Sequence, residues 1–131
     1  MNKERILALA DLIEAQPHTD VDSKHGFNMN SILHLCGTPC CIAGWAVWEA
    51  QGRPERVDRY KYETGLEIPA AEYLEMPLDP QHYCGPAMQL FYPVDDDIND
   101  RNYKDLQPVE AAKVLRHLAE TGEVDWSIIN E

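Results

Sequence analysis

The chain has 131 residues, of which 44 % are hydrophobic and 26 % charged, with a formal net charge of −12 at pH 7. That length and balance predict one globular domain with its own core and exclude a disordered chain. No apolar run reaches the roughly eighteen residues of a membrane span, and the acidity argues against direct binding to nucleic acid or anionic lipid.

Residues 2–15 read as a helix, because Ile6, Leu9, Ala10 and Ile13 fall at i, i+3, i+4 and i+7. Asn2 can cap its start and Gln16-Pro17 stops it. Glu4, Asp11 and Glu14 interrupt the apolar run, so this is no signal peptide. A cytoplasmic protein with reduced cysteines is expected, and no cofactor. Residues 17–27 carry turn formers without a period and predict a loop. Residues 28–35 offer a short helical piece with Met29, Ile32 and Leu33 on one side.

A second helix is predicted from Thr38 as N-cap and Pro39 as first helical residue, running to about Ala50 and ending at Gln51-Gly52. Residues 53–67 gather Arg53, Arg56, Arg59 and Lys61, with Tyr60 and Tyr62 alternating with charges, and suit a short edge strand or an extended loop. Pro69 opens a short helix through about Glu75, and Pro86 opens another through Tyr92. Residues 94–106 read as an acidic loop. From Pro108 to about Thr121, Ala111, Ala112, Leu115, Leu118 and Ala119 form a helical stripe closed by Gly122. The tail from Glu123 alternates Val124, Trp126 and Ile128, as an extended segment would.

The expected fold is therefore mainly α. It is a single compact helical domain over residues 1–131 around a buried central helix, with room for a small strand pair from residues 57–62 and the tail. Its core should contain Ile6, Leu9, Ile13, Ile42, Trp45, Ala46, Leu74, Leu90, Leu115 and Leu118.

Three of the four cysteines lie in the stretch CGTPCC at residues 36–41, which opens on the apolar run IAGWAVW. A zinc site could be assembled from Cys36, Cys41, Cys84 and His34, although adjacent Cys40 and Cys41 diverge by about 100° on a helix. A nucleophilic thiol is the second option. Cys40 or Cys41 at a helix N-terminus would be acidified by the helix dipole, with His34 or His82 as base, making a small hydrolase or transferase. The string C-G-T-P-C is similar to the C-G-S-C-W stretch of papain-like proteases, but Cys41 stands where their Trp would. A redox pair is a third option, disfavoured because the spacing is not C-x-x-C. Against these stands a packing role: a helix apolar all round is buried, and free Cys packs there as a small apolar group. Gly44 inside that helix predicts close approach by a neighbouring helix.

Cys36-Gly37-Thr38, followed by Cys41-Ile42-Ala43-Gly44-Trp45-Ala46, resembles a motif of small uncharacterised proteins encoded by bacteriophages and bacteria. The same family carries a stretch similar to Ala111-Ala112-Lys113-Val114-Leu115-Arg116-His117-Leu118 and then Thr121-Gly122-Glu123-Val124-Asp125-Trp126. Phe27-Asn28-Met29 stands at its Phe-x-Met step, and Cys40 falls in the variable gap of the pattern. The resemblance implies a phage or bacterial origin and no particular activity.

Asp95, Asp97 and Asn99 match the first positions of a calcium loop, but Asp100 and Leu106 replace the required Gly and Glu. From Tyr62 to Asp100 there is no Lys or Arg among nine acids. Either this is a solvated face, or Glu72, Glu75, Asp79, Asp95, Asp96, Asp97 and Asp100 form a docking surface for a protein partner with a basic surface. With no convergent catalytic set, the leading expectation is a small, acidic, non-catalytic protein-binding module that engages neither nucleic acid nor membrane. The cysteine hydrolase is the alternative, and the zinc module is third.

Overall fold

The computed structural model describes every residue except Thr64, Pro80, Tyr83 and Glu131. Its order is α1 (Lys3–Glu14), α2 (Ile42–Ala50), α3 (Glu67–Leu74), α4 (Pro86–Phe91) and α5 (Pro108–Thr121), with 3-10 turns at Asp95–Ile98, Tyr103–Asp105 and Trp126–Asn130. The protein is mainly helical. Strand-like pairing among the described residues is confined to isolated bridges, such as Leu33 with Pro39.

The outer pair is α1 and α5, which form the most extensive helix–helix contact. Asn2 caps α1 by accepting the Arg5 N–H at 3.1 Å. Ile6, Leu9, Ala10 and Ile13 are buried, as the spacing predicts. Helix α5 begins on a capping box: Gln107 is the N-cap, and its N–H is accepted by Glu110 Oε1 at 2.9 Å. It ends at Gly122 with φ of 81°. Arg116 on α5 joins the two helices, donating to Asp11 Oδ1 at 2.9 Å and to Glu14 Oε2.

Helix α2 is the buried central element. Every residue from Ile42 to Val47 is buried, and α2 packs chiefly on α3, with α1 and α4 also touching it. Each large apolar side chain so enclosed stabilises the fold by about 1.5–3 kcal/mol. All ten expected core residues are buried. The core also takes Phe27, Phe91, Ile98, Leu106 and Trp126, residues that lie in loops or in the tail or that end a helix.

Four expectations are corrected. First, α2 starts at Ile42 with Cys41 as N-cap, not at Thr38. The Thr38 hydroxyl donates to the Lys24 carbonyl at 2.5 Å instead of capping. Cys40 pairs in extended fashion on both sides, its N–H to Ile32 O at 3.0 Å and its carbonyl to Asn28 N at 3.0 Å. Second, that same pairing takes residues 28–35 out of the helical region, although Met29 and Leu33 still enter the core. Third, residues 57–62 and the tail form no strand pair. Asp125 accepts the Ser127 N–H at 3.0 Å and turns the tail into a 3-10 helix, which buries Trp126 and Ile128. Fourth, the close approach at Gly44 is made by a loop. A Cβ there would overlap the Ile32 carbonyl oxygen and stand 3.5 Å from Pro39 Cα. Smaller shifts are that α3 begins two residues before Pro69 and that the acidic loop holds two 3-10 turns.

Candidate functional site

The cysteine stretch is a tight chain reversal leading into α2. Leu33 pairs with Pro39, and Gly37, at φ of 92°, closes the turn by donating its N–H to His34 O at 2.9 Å. Positive φ is open to glycine at no steric cost. Cys40 is buried, and its thiol lies 3.2 Å from Asn28 O. Burial pushes the Cys40 thiol up to about 12, with Cys41 beside it adding to the shift. Burial also pushes Cys41 up to about 11, against the opposing pull of the Gly44 and Ala43 amides. Both thiols are therefore protonated and enclosed at neutral pH, whereas nucleophile and metal ligand alike require an accessible thiolate.

The histidines proposed as bases are engaged elsewhere. His34 is fully buried, with Nδ1 3.0 Å from Val21 O and Nε2 3.1 Å from Gly26 O. His82 is exposed, with Nδ1 2.7 Å from Asp79 Oδ2. Neither is hydrogen-bonded to a thiol. Nor do Cys36, Cys41, Cys84 and His34 converge: two are exposed and two buried, and among the described residues no three His, Cys, Asp or Glu side chains are grouped as metal ligands.

The accessible and acidified thiol is Cys36, which sequence reasoning placed only in the metal set. Its Sγ lies 3.3 Å from Thr38 Oγ1 and 3.6 Å from Lys24 O. The Thr38 hydroxyl, chiefly, and the nearby Arg56 guanidinium hold it below the ordinary thiol value. A hydroxyl two residues further on, across a glycine turn, was the available signal.

No protein-family model matches the chain, and no curated protein or solved structure matches it.

The seven acidic residues divide by element. Glu72 and Glu75 belong to the end of α3, which packs on α2, α1 and α4, whereas the Asp95–Ile98 turn packs on the Trp126–Asn130 turn. Glu75 is committed to Asn2 Nδ2 at 2.7 Å. Asp79 is committed to His82 and to the Gln81 N–H at 2.9 Å; the His82 contact, first, holds its carboxyl below the ordinary range. The turn at Asp95 differs from these. Ile98 anchors it in the core, and Asp100 N–H donates back to Asp95 O at 2.8 Å. Asn99 and Asp100 both hold left-handed conformations, with φ of 54° and 58°. The adjacent Arg101 pairs with Glu110, at 2.6 and 2.7 Å, and Lys104 lines one groove with Asp95 without a hydrogen bond to it. Asp95, Asp96 and Asp100 are exposed, and among the described residues their carboxylates have no partner, while Asp97 is half-buried.

A groove of about 540 Å³ runs along α5 past Val109, Lys113, Arg116 and His117. Its two permanent cations are already engaged, Lys113 with Ile128 O at 3.0 Å and Arg116 with α1.

Proposed function

We propose that this chain is a small, non-catalytic protein-binding module of phage or bacterial origin that docks a basic partner through Asp95, Asp96 and Asp100. The observation that carries the reading is the core-anchored turn on which these carboxylates are exposed and, among the described residues, take part in no hydrogen bond or ion pair. Such a surface attracts a basic face over roughly a Debye length and fixes its orientation on contact. A host protein whose own ligand is nucleic acid offers such a face, and the acidic turn would occupy it. Asp97, half-buried in the same turn, adds to the negative charge at the contact, whereas Glu72, Glu75 and Asp79 belong to other elements. The module works in the cytoplasm, without a cofactor and without touching nucleic acid or membrane directly. Among the described residues no helix is long and apolar enough to cross a membrane. The thiol-hydrolase alternative has less support, since Cys40 and Cys41 are buried and protonated.

The test is capture from bacterial lysate on immobilised wild-type chain and on the Asp95→Asn/Asp96→Asn/Asp100→Asn chain. A protein retained only by the wild type, eluted by salt and displaced from its nucleic acid, is the expected result. Equal retention by both chains, or none by either, removes the acidic turn as the docking surface.

A further inference from the structure

Four of the six arginines are engaged within the fold. Arg5 donates to Tyr73 O, Arg53 pairs with Glu49, Arg101 with Glu110, and Arg116 with Asp11 and Glu14. Arg56 and Arg59 are exposed, and among the described residues their guanidinium groups have no acceptor. Both line one groove of about 370 Å³, together with Leu35, Val57, Asp58 and Tyr60. Leu35 and Tyr60 are 77 % and 88 % exposed, the two most exposed large apolar side chains among the described residues. Free cations and uncovered apolar surface thus coincide at one place in a chain of net charge −12.

The groove is built in advance. Val57 is buried and donates its N–H to Gly37 O at 2.8 Å, which fastens the 53–60 loop onto the turn before α2. Asp58 and Gln51 exchange two hydrogen bonds, at 2.9 and 3.1 Å, and Asp58 Oδ1 accepts the Tyr60 N–H at 3.0 Å. A rim held by backbone contacts loses little freedom on binding.

We propose that this groove docks an acidic peptide segment of a partner protein, with one large apolar side chain seated between Leu35 and Tyr60 and flanking carboxylates paired with Arg56 and Arg59. The guanidinium fork matches a carboxylate in two parallel hydrogen bonds, and contiguous exposed apolar surface marks an interaction site. A nucleic-acid strand fits less well. Its phosphates follow one another without a gap, and Glu55 and Asp58 in the same loop would repel them, whereas a peptide can space its carboxylates around those two acids. A second copy of this chain would bring its own net charge of −12. The groove lies on a different loop from the acidic turn, so this proposal goes beyond the preceding one and stands or falls separately.

The experiment pans a random peptide display library against the Asp95→Asn/Asp96→Asn/Asp100→Asn chain, which removes capture by the acidic turn, and titrates the selected peptide by fluorescence anisotropy. Selected peptides should carry Asp or Glu flanking a Leu, Ile or Phe. Arg56→Glu/Arg59→Glu and Leu35→Ser/Tyr60→Ser should each weaken binding about tenfold or more, with unchanged far-ultraviolet circular dichroism because all four side chains are exposed. Restoring Asp95, Asp96 and Asp100 should leave the affinity unchanged. The proposal is overturned if no acidic peptide is selected or if binding ignores Arg56 and Arg59. It is also overturned if a labelled oligo-dT binds the same arginines more tightly, or if sedimentation shows self-association that depends on them.

Discussion

Replacing Gly44 with alanine probes the fit between α2 and the chain reversal before it. In an open helix the change would help, since alanine is favoured over glycine by about 1 kcal/mol. Here the added Cβ would overlap the Ile32 carbonyl oxygen and lie 3.0 Å from its carbon and 3.5 Å from Pro39 Cα. All three atoms are backbone, so no rotamer change relieves the overlap. Relief requires the Ile32–Cys40 pair to move off α2, which strains the 3.0 Å bond from Cys40 N–H to Ile32 O. Overpacking costs about 1–3 kcal/mol, and a buried amide deprived of its acceptor costs about 1–3 more. Set against a gain of about 1 kcal/mol in helix propensity, the net loss is about 3 kcal/mol. For a domain of this size that lowers the melting temperature by about 10 °C. Gly52→Ala is the comparison. Gly52 has a φ of 82° and nothing within 4 Å of an added Cβ, so only backbone strain of about 1–2 kcal/mol applies. Thermal melts followed by far-ultraviolet circular dichroism should rank wild type above Gly52→Ala and Gly52→Ala above Gly44→Ala. A Gly44→Ala chain that melts with the wild type or higher would refute the steric reasoning.

Iodoacetamide at neutral pH should label Cys36 and Cys84 in the folded chain and reach Cys40 and Cys41 only after denaturation, as peptide mapping would show; the Cys36 rate should reach its half-maximum below the pH of an ordinary thiol. Because burial raises both enclosed thiols, to about 12 and about 11, their contribution to stability is complete below the ordinary thiol value of 9.0 and is lost as pH rises toward those values. Unfolding free energies from urea titrations should therefore fall above pH 9, by up to about 1.4 kcal/mol per pH unit per thiol, and Cys40→Ala/Cys41→Ala should flatten that fall. Arg101 holds the Glu110 carboxyl below the usual carboxylate range, so its stabilisation is complete above that range and lost as pH falls through the folded-state value. Glu110→Gln should cost about 1–2 kcal/mol at neutral pH and little in strong acid, and an equal cost in both would count against the ion pair. The Trp45 indole N–H is buried without an acceptor among the described residues, whereas Trp126 Nε1 donates to Leu90 O at 3.2 Å. Trp45→Phe should thus cost about 1 kcal/mol less in urea unfolding than Trp126→Phe, and the reverse order would contradict the desolvation argument.

The helices were legible wherever their signals are local. Asn2, Pro86, Pro108 and Gly122 mark helix ends, and the apolar period of α1 and α5 marks the buried face. Thr38 misled because its hydroxyl finds an acceptor fourteen residues upstream, at Lys24, and so never caps the following turn. The tail misled because alternation at Val124, Trp126 and Ile128 suits a strand, while Asp125 closes a turn on Ser127. The same distinction governs the candidate sites. Sequence brings His34 near three cysteines, but its two ring nitrogens face the carbonyls of Val21 and Gly26 and not a thiol. Whether an arginine is free depends on partners as remote as Asp11 is from Arg116, so the two uncommitted guanidiniums could not be recognised from the four basic residues between 53 and 61.

The pairing of α1 with α5 also bears on how the chain is made. Asp11 and Arg116 stand 105 positions apart, and Ile6, Leu9 and Ile13 belong to a core to which α5 contributes Leu115 and Leu118. On the ribosome, therefore, α1 leaves the exit tunnel with its oily side uncovered, and although α2 and α3 can cover part of it, the larger contact waits until α5 has been synthesised. Closure over so long a contour is slow compared with local helix formation, and holdase chaperones have that interval in which to bind the waiting segment.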